Sequence, residues 1–234
     1  MALPWASPLR ADFAADLARI HVEAIGGHDN VKALKAVHAT GITRIQGREL
    51  RFALWAARPN WVRTEVTDEG RVMIQAYDGG NPPWIMDSKT GKVFEMGVAP
   101  ARAFKADADF DDPLVPAGRG RNVSLDYAGE TEIAGRPVFK ILVTQNFTES
   151  AFVYLDHTTY LIIRRDAVRI RSGAAETVET WYDDFRPVKG VLLPYHLTEK
   201  LAGQVRSETV LERIDGNPAL TPGLFTRPAV TAGK

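Results

Sequence analysis

From residue 37 the hydrophobic period of this chain drops from helical spacing to two, and it holds there through most of the remaining sequence. The segments "ATGITRIQG", "LRFALWAA", "NWVRTEVT" and "RVMIQAYD" are β-rich and are separated by turns containing Gly, Pro or Asn. "WIMD" and "GKVFEM" extend this run, and about seven further segments follow, from "NVSLDYAG" to "VRSETVLERID". Polar and apolar residues mostly alternate, which marks an antiparallel sheet with one covered face. "LRFALWAA" departs from that rule: Leu50, Phe52 and Leu54 point to one side and Trp55 to the other, so material is expected to pack on both faces of that strand. The pattern predicts a mainly β (α+β) chain of four to six strands, a helical interruption, and about seven more strands.

Residues 1–36 read as helical. Ser7 can cap, Pro8 suits the first helical position, and Leu9, Phe13, Leu17, Ile20 and Ala24 recur at spacings of three or four. Gly26-Gly27 ends this helix, and Asp29 or Asn30 begins a shorter one through Val31 and Leu34. Between the two strand runs, "APARAFKADADFDDPLV" and the loop "PAGRGRN" occupy residues 99–122. Pro100 can start a short helix there, with Phe104, Ala108 and Leu114 in weak periodicity. Asp107, Asp109, Asp111 and Asp112 crowd its C-terminal end, where the helix dipole disfavours negative charge. An element of such low local stability is suited to act as a lid. No change of composition divides the chain. Residues 1–234 are therefore expected to form one domain: helices at 1–36, strands at 37–98, lid at 99–121, strands at 122–216 and a C-terminal tail at 217–234.

The 29 basic and 29 acidic residues cancel, so no net field draws the chain to nucleic acid. Cysteine is absent, which removes disulfides, thiolate nucleophiles and Cys-ligated metals together. The start "MALPWASPLRADF" shows no signal peptide, and no window approaches a membrane-spanning length. The five histidines form no HxH or HExxH spacing, and no metal site is expected. His21 lies near the C-terminal end of the first helix, where positive charge is welcome, His28 and His38 sit around the following turn and helix, and His157 and His196 are expected as surface or turn residues. Asp183 and Asp184 are adjacent on a strand and face opposite sides, so they read as a solvated strand end. Arg164, Arg165, Arg169 and Arg171 read as a charged outer sheet face, with Arg165, Arg169 and Arg171 on one side. No serine sits in a G-x-S-x-G elbow, and "AYDGGNPPW" lacks the spacing of a phosphate loop. Catalytic residues and cofactors are accordingly expected to be absent.

Apolar bulk is what remains. Trp55, Trp61, Trp84, Met86, Phe94, Met96, Phe104 and Phe110 fall within about sixty residues, before or within the lid segment. Any one of them suits a core. Together they exceed what half a sheet needs, and a sheet curled around an apolar cavity accounts for both the excess and the lid.

The segment "LWAARPNWVRTEV…AYDGGNPPWIMD" resembles the LolA-type lipoprotein carriers, through Leu54, Trp55, Arg58, Pro59, Asn60, Asp78, Gly79 and Trp84. "AIGGHDNVKALKAVHATGITRIQG" and "YAGETEIAGRPVFKILV…FVYLDHTTYLIIR…YDDFRPVKGVLLPYHL" are similar to the wider group of outer-membrane lipoprotein-sorting proteins. The resemblance implies a single curved antiparallel sheet, an unclosed half-barrel of about 11 strands, with an N-terminal helix and a short helical lid over an apolar cavity. It implies a periplasmic, monomeric, non-catalytic carrier, its signal peptide removed, for a lipid, a lipoprotein acyl chain or another hydrophobic ligand. A membrane-associated donor or acceptor protein would be its partner. Arg58 then governs lid opening by bonding lid carbonyls. Trp55, Arg58, Trp84, Met86, Phe94, Met96, Phe104 and Phe110 are the expected ligand-binding residues, with no catalytic residue, metal or cofactor. The longer turn "DGGNPPW" and the extra length depart from the carriers, and leave open an enzyme on the same fold, with His157, His196 or Asp183 in its pocket, or an envelope sensor or interaction module.

Overall fold

The structure, a computed structural model, describes residues 8–115, 123–145, 149–171 and 174–229. The expected Ser7 cap and the loop at 116–122 lie outside them. Two helices come first, α1 (Pro8–Ala24) and α2 (His28–Ala33). Six strands follow: β1 (Ala36–Ile45), β2 (Arg48–Ala57), β3 (Trp61–Asp68), β4 (Arg71–Tyr77), β5 (Trp84–Asp87) and β6 (Val93–Glu95). Helix α3 (Val98–Asp107) precedes seven more: β7 (Val123–Ile133), β8 (Arg136–Gln145), β9 (Glu149–Asp156), β10 (Ile162–Arg171), β11 (Ala174–Val188), β12 (Val191–Leu201) and β13 (Gln204–Gly216).

The strands form one antiparallel sheet in the order β6-β5-β4-β3-β2-β1-β13-β12-β11-β10-β9-β8-β7, which is not closed into a barrel. Every neighbouring pair is a sequence-local hairpin except β1–β13, the seam that joins the two halves. The thirteen strands exceed the eleven or so that the resemblance implies. The count of period-two segments is the better guide, because the short segments of β5 and β6 also pair, Trp84 opposite Glu95 and Met86 opposite Val93. At the seam, β1 bulges between Thr40 and Gly41, and a Cβ at Gly41 would stand 2.1 Å from the Val210 carbonyl oxygen. Only glycine allows so close a backbone approach.

Helix α1 lies on what we term the inner face of the sheet. Its buried stripe is Ala14, Leu17, Ala18, His21 and Val22, turned away from the stripe expected from spacing alone. Leu17 is common to both, whereas Phe13 and Ile20 are 40% and 36% exposed. The small residues Ala14 and Ala18 let the helix sit against Ile141, Val143, Val153 and Leu155, and Phe13 flanks the contact, edge-on to Tyr127 at 4.8 Å. A second inner cluster ties Val22, Ile25, Val31 and Leu34 to Val37 of β1 and Val191 of β12.

The outer face of the first half is covered too, as the two-sided strand β2 requires. Leu220, Leu224 and Phe225 of the C-terminal tail pack on Ala36, Ala57 and Trp55. The tail then crosses β3 and β5. Phe225 meets the Trp61 ring at 5.7 Å and its carbonyl accepts the Trp84 indole N–H at 3.0 Å. Arg227 ends the crossing on Glu95 of β6, at 2.6 Å.

A lidded cavity

A cavity of about 380 Å³ lies between the inner face, the C-terminal half of α1, α2 and the segment 106–115. Both halves of the sheet supply its wall: Val37, Leu54, Ala56 and Val62 from β1–β3, and Val143, Ala151, Val153, Ile162 and Phe185 from β8–β11. The alternation of each strand puts these aliphatic side chains inward while their neighbours point out. Its size falls within the roughly 300–1,000 Å³ of small-molecule sites, and aliphatic walls with few polar groups are their usual composition.

Of the residues expected at a ligand site, Arg58 and Phe110 line this cavity. Phe104 sits next to it, half-buried against Val62, Tyr77 and Ala108. The others lie elsewhere. Trp55 is on the outer face, stacked on His38 at 4.4 Å and packed under the tail. Trp84, 2% exposed, is buried with Ile74 and Ala76, with Met86 against the same cluster. Met96 is buried just beyond β6, and Phe94 is 58% exposed near the sheet edge. The register explains this division: Trp55, Arg63, Ala76 and Trp84 are directly opposite one another across β2–β5, so they share one face, opposite the one that carries Leu54, Ala56 and Val62. The apolar residues of the second half, from Val143 to Phe185, were not singled out by sequence, because alternating apolar residues read alike in a core and in a cavity wall.

The lid is the segment after α3 more than the helix itself. Helix α3 has no buried residue, whereas Ala108, Leu114 and Val115 are buried and residues 106–113 line the cavity. The Phe110 N–H donates to the Pro59 carbonyl at 3.1 Å. The aspartates that burden the helix end are explained by their partners on the wall. Asp107 Oδ1 accepts from Arg165 Nη1 at 2.7 Å and Arg169 Nη2 at 2.5 Å. Asp109 accepts from Gln145 at 3.4 Å, Asp111 from Arg58, and Asp112 from His21 Nε2 at 3.1 Å.

Arg58 does more than border the opening. Its Nε donates to the Leu34 carbonyl at 2.9 Å and its Nη2 to the Val31 carbonyl at 2.7 Å, the orphan acceptors at the C-terminal end of α2. The remaining nitrogen holds Asp111, and the guanidinium lies 5.1 Å from the Phe110 ring centre. Its partners are thus α2 carbonyls and a lid carboxylate, where lid carbonyls were expected. Burial raises the Asp111 carboxyl pKa above the ordinary value despite Arg58, with Asp112 and Asp109 adding to the rise.

His21, in the last turn of α1 as its position in the chain predicts, is 2% exposed. Its Nδ1 donates to the Tyr160 carbonyl at 2.7 Å while Nε2 faces the Asp112 carboxylate. Two acceptors on two ring nitrogens are both satisfied only by the imidazolium. Burial opposes that charge, but Asp112 and the carbonyl outweigh it and hold the His21 pKa above that of a free imidazole. Burial works against the Asp112 carboxylate as well; His21 and the N–H groups of Leu114 and Val115 outweigh it and lower the Asp112 pKa.

Arg165 and Arg169 share a side of β10, as their spacing predicts, but that side faces inward. Arg164 takes the outer face with Asp166 and Glu179. A bulge between Ile162 and Arg164 sets this phase, and it leaves no mark in the alternation. Among the described residues, no group of three or more His, Asp or Glu side chains could hold a metal ion. His157, stacked on Phe139 at 3.8 Å, His196, bonded to Glu208 at 2.9 Å, and Asp183 all lie outside the cavity lining. No helix among the described residues is long and apolar enough to cross a membrane.

No protein-family model matches the chain, and no curated protein matches it in sequence. Solved structures do match in fold. A domain of Vibrio parahaemolyticus assigned to the outer membrane lipoprotein-sorting proteins superimposes with a TM-score of 0.61 at 11% identity, over 92% of this chain and 97% of that one. A DUF1329 family protein of Desulfovibrio piger gives 0.62 at 12% identity, over 92% and 97%. A LolA superfamily protein of Nitrosomonas europaea gives 0.58 at 12% identity, over 92% and 98%. The chain therefore has the open half-barrel fold of the LolA-like proteins.

Proposed function

We propose that the protein is a periplasmic, non-catalytic carrier or binding protein that takes a lipid, a lipoprotein acyl chain or another hydrophobic ligand into the lidded cavity. The observation that carries this reading is the cavity itself: aliphatic walls drawn from both halves of the sheet, closed by a segment fastened through ion pairs instead of a packed helix. An acyl chain entering it would gain roughly 25 cal/mol per Å² of apolar surface removed from water. Cargo would pass from a membrane-associated donor to an acceptor protein, with Arg58 and Phe110 touching it directly. The likeness to a lipoprotein-sorting domain and a LolA superfamily protein supports the same class of ligand.

Detergent-free protein from its natural compartment should yield a stoichiometric lipid or lipopeptide on organic extraction and mass spectrometry. Emptied protein should bind the apolar fluorophore N-phenylnaphthylamine, and Ala151→Phe, which fills the cavity from β9, should abolish that binding while leaving the thermal transition in place. Protein that is empty and refuses the fluorophore refutes the proposal.

A further inference from the structure

The charges around the cavity are sorted by element. Of the lining side chains, the cations His21, Arg58, Arg165 and Arg169 all belong to α1 and the sheet wall, and the anions Asp107, Asp109, Asp111 and Asp112 all belong to the lid. An aliphatic pocket for a neutral ligand has no need of that division. Lifting the lid strips the wall of its counter-charges beside a low-dielectric surface, which is unfavourable unless another anion arrives.

The four cations differ in how far they depend on the lid. Arg58 keeps the Val31 and Leu34 carbonyls and His21 keeps the Tyr160 carbonyl when the lid departs. Arg165 and Arg169 converge on a single oxygen, Asp107 Oδ1, and among the described residues retain little else: the Tyr182 hydroxyl beside Arg165 and a 3.5 Å contact from Arg169 to the Val168 carbonyl. Two planar forks aimed at one point, at the border of an apolar chamber, match an oxyanion that offers two or three oxygens.

Accepting the carrier reading above, we infer that the ligand is an acyl chain with an anionic head, a carboxylate or a phosphate, and that Asp107 occupies the head-group position while the lid is closed. The lid is then a built-in competitor. An anionic amphiphile exchanges one set of ion pairs for another and opens the lid at little electrostatic cost. A neutral head leaves Arg165 and Arg169 unpaired, and a cationic head is repelled.

The test uses the full chain loaded with N-phenylnaphthylamine and displaced, below micellar concentrations, by dodecanoate, dodecyl phosphate, dodecanol and dodecylammonium. These share one chain and differ in the head. The two anions should displace the fluorophore at concentrations roughly tenfold or more below dodecanol, the effect of one or two charge-assisted hydrogen bonds, and dodecylammonium should be weaker than dodecanol. The double variant Arg165→Gln, Arg169→Gln should bring the anions to the level of dodecanol and leave dodecanol itself unchanged. Asp107→Asn should widen the anion advantage, because the competitor is gone, and added salt should narrow it in the native chain. The better of the two anions identifies the head group as carboxylate or phosphate. Equal displacement by anions and dodecanol overturns the inference and spares the carrier reading, as does an anion advantage that survives the double variant or shrinks in Asp107→Asn. Should the double variant fail to fold by circular dichroism, Asp107→Asn and the salt series decide alone. Failure of every chain, dodecanol included, refutes the carrier reading and this inference with it.

Discussion

Replacing Trp84 with alanine separates the two parts an indole can play in this molecule. The side chain is 2% exposed, packed with Ile74 and Ala76, and its N–H donates to the Phe225 carbonyl at 3.0 Å. Taking a ring of this kind out of water hides roughly 150–250 Å², which at about 25 cal/mol per Å² gives roughly 4–6 kcal/mol. Loss of the hydrogen bond adds about 1 kcal/mol, and partial collapse of the tail into the vacated space recovers some of the total, so the net cost is about 3–5 kcal/mol. For a chain of this length that lowers Tm by roughly 6–20 °C. Trp84→Phe keeps most of the area and loses the donor, at about 1–2 kcal/mol. Thermal and urea unfolding would be run beside fluorophore titration at a temperature below every transition. Both variants should hold the fluorophore within about twofold of the native affinity, because Trp84 fastens the tail to the outer face and does not line the cavity. An alanine variant that melts like the native protein yet binds about tenfold more weakly would show that the indole touches ligand, and the reasoning from register would fail.

Three further outcomes follow from the lid and the seam. Arg58→Gln removes the bonds to two α2 carbonyls and to Asp111, and should cost about 2–4 kcal/mol and speed amide exchange across residues 108–115; unchanged exchange would contradict the latch. Because the His21 pKa is raised, its contribution is complete below the unfolded value of roughly 6.5 and is lost as pH rises through the higher folded value. The Asp112 pKa is lowered, so that contribution is complete above roughly 3.9 and is lost as pH falls through the depressed folded value. Lid protection, corrected for intrinsic exchange, should therefore be greatest between roughly pH 4 and 6.5 and decay on the alkaline side, and His21→Gln should abolish that decay; a native profile that shows no decay as pH rises above about 6.5 refutes the assignment. Gly41→Ala forces a methyl against the Val210 carbonyl and should destabilise by about 3 kcal/mol or more, read as a lower urea midpoint.

Much of the fold is legible in the chain because a period of two is a local property. Each hairpin declares itself through its own alternation and turn residues, down to the four residues of Trp84–Asp87. Faces are harder. The alternation places Arg165 and Arg169 together without saying which side is inner, since that depends on the bulge at Ile162 and on a lid aspartate far away in sequence. The tryptophans show the same limit. Trp55, Trp61 and Trp84 form an apolar excess that the first half alone cannot bury, and the missing cover is a tail more than a hundred residues onward, carrying Leu224 and Phe225. His21 is hidden for a third reason: Ala14 and Ala18 rotate α1 to a contact line that favours close approach over the largest side chains. Arg58 is singled out through the resemblance of its Arg-Pro-Asn corner to the LolA-type carriers, but its partners lie on α2 and the lid, outside any local pattern.

The strand order also fixes when the cavity can come into being. Each hairpin of β1–β6 and of β7–β13 needs only its neighbour in sequence and can close as soon as it is made. The β1–β13 seam instead unites Val37 with Gly216 and must wait for nearly the whole chain. During synthesis from the N-terminus, β1 stands as an unpaired edge with half a cavity wall beside it until β13 appears. The cavity is therefore missing from a nascent or C-terminally shortened chain: such a chain offers an open strand that recruits other chains, and the lined chamber arises only when β13 closes the seam.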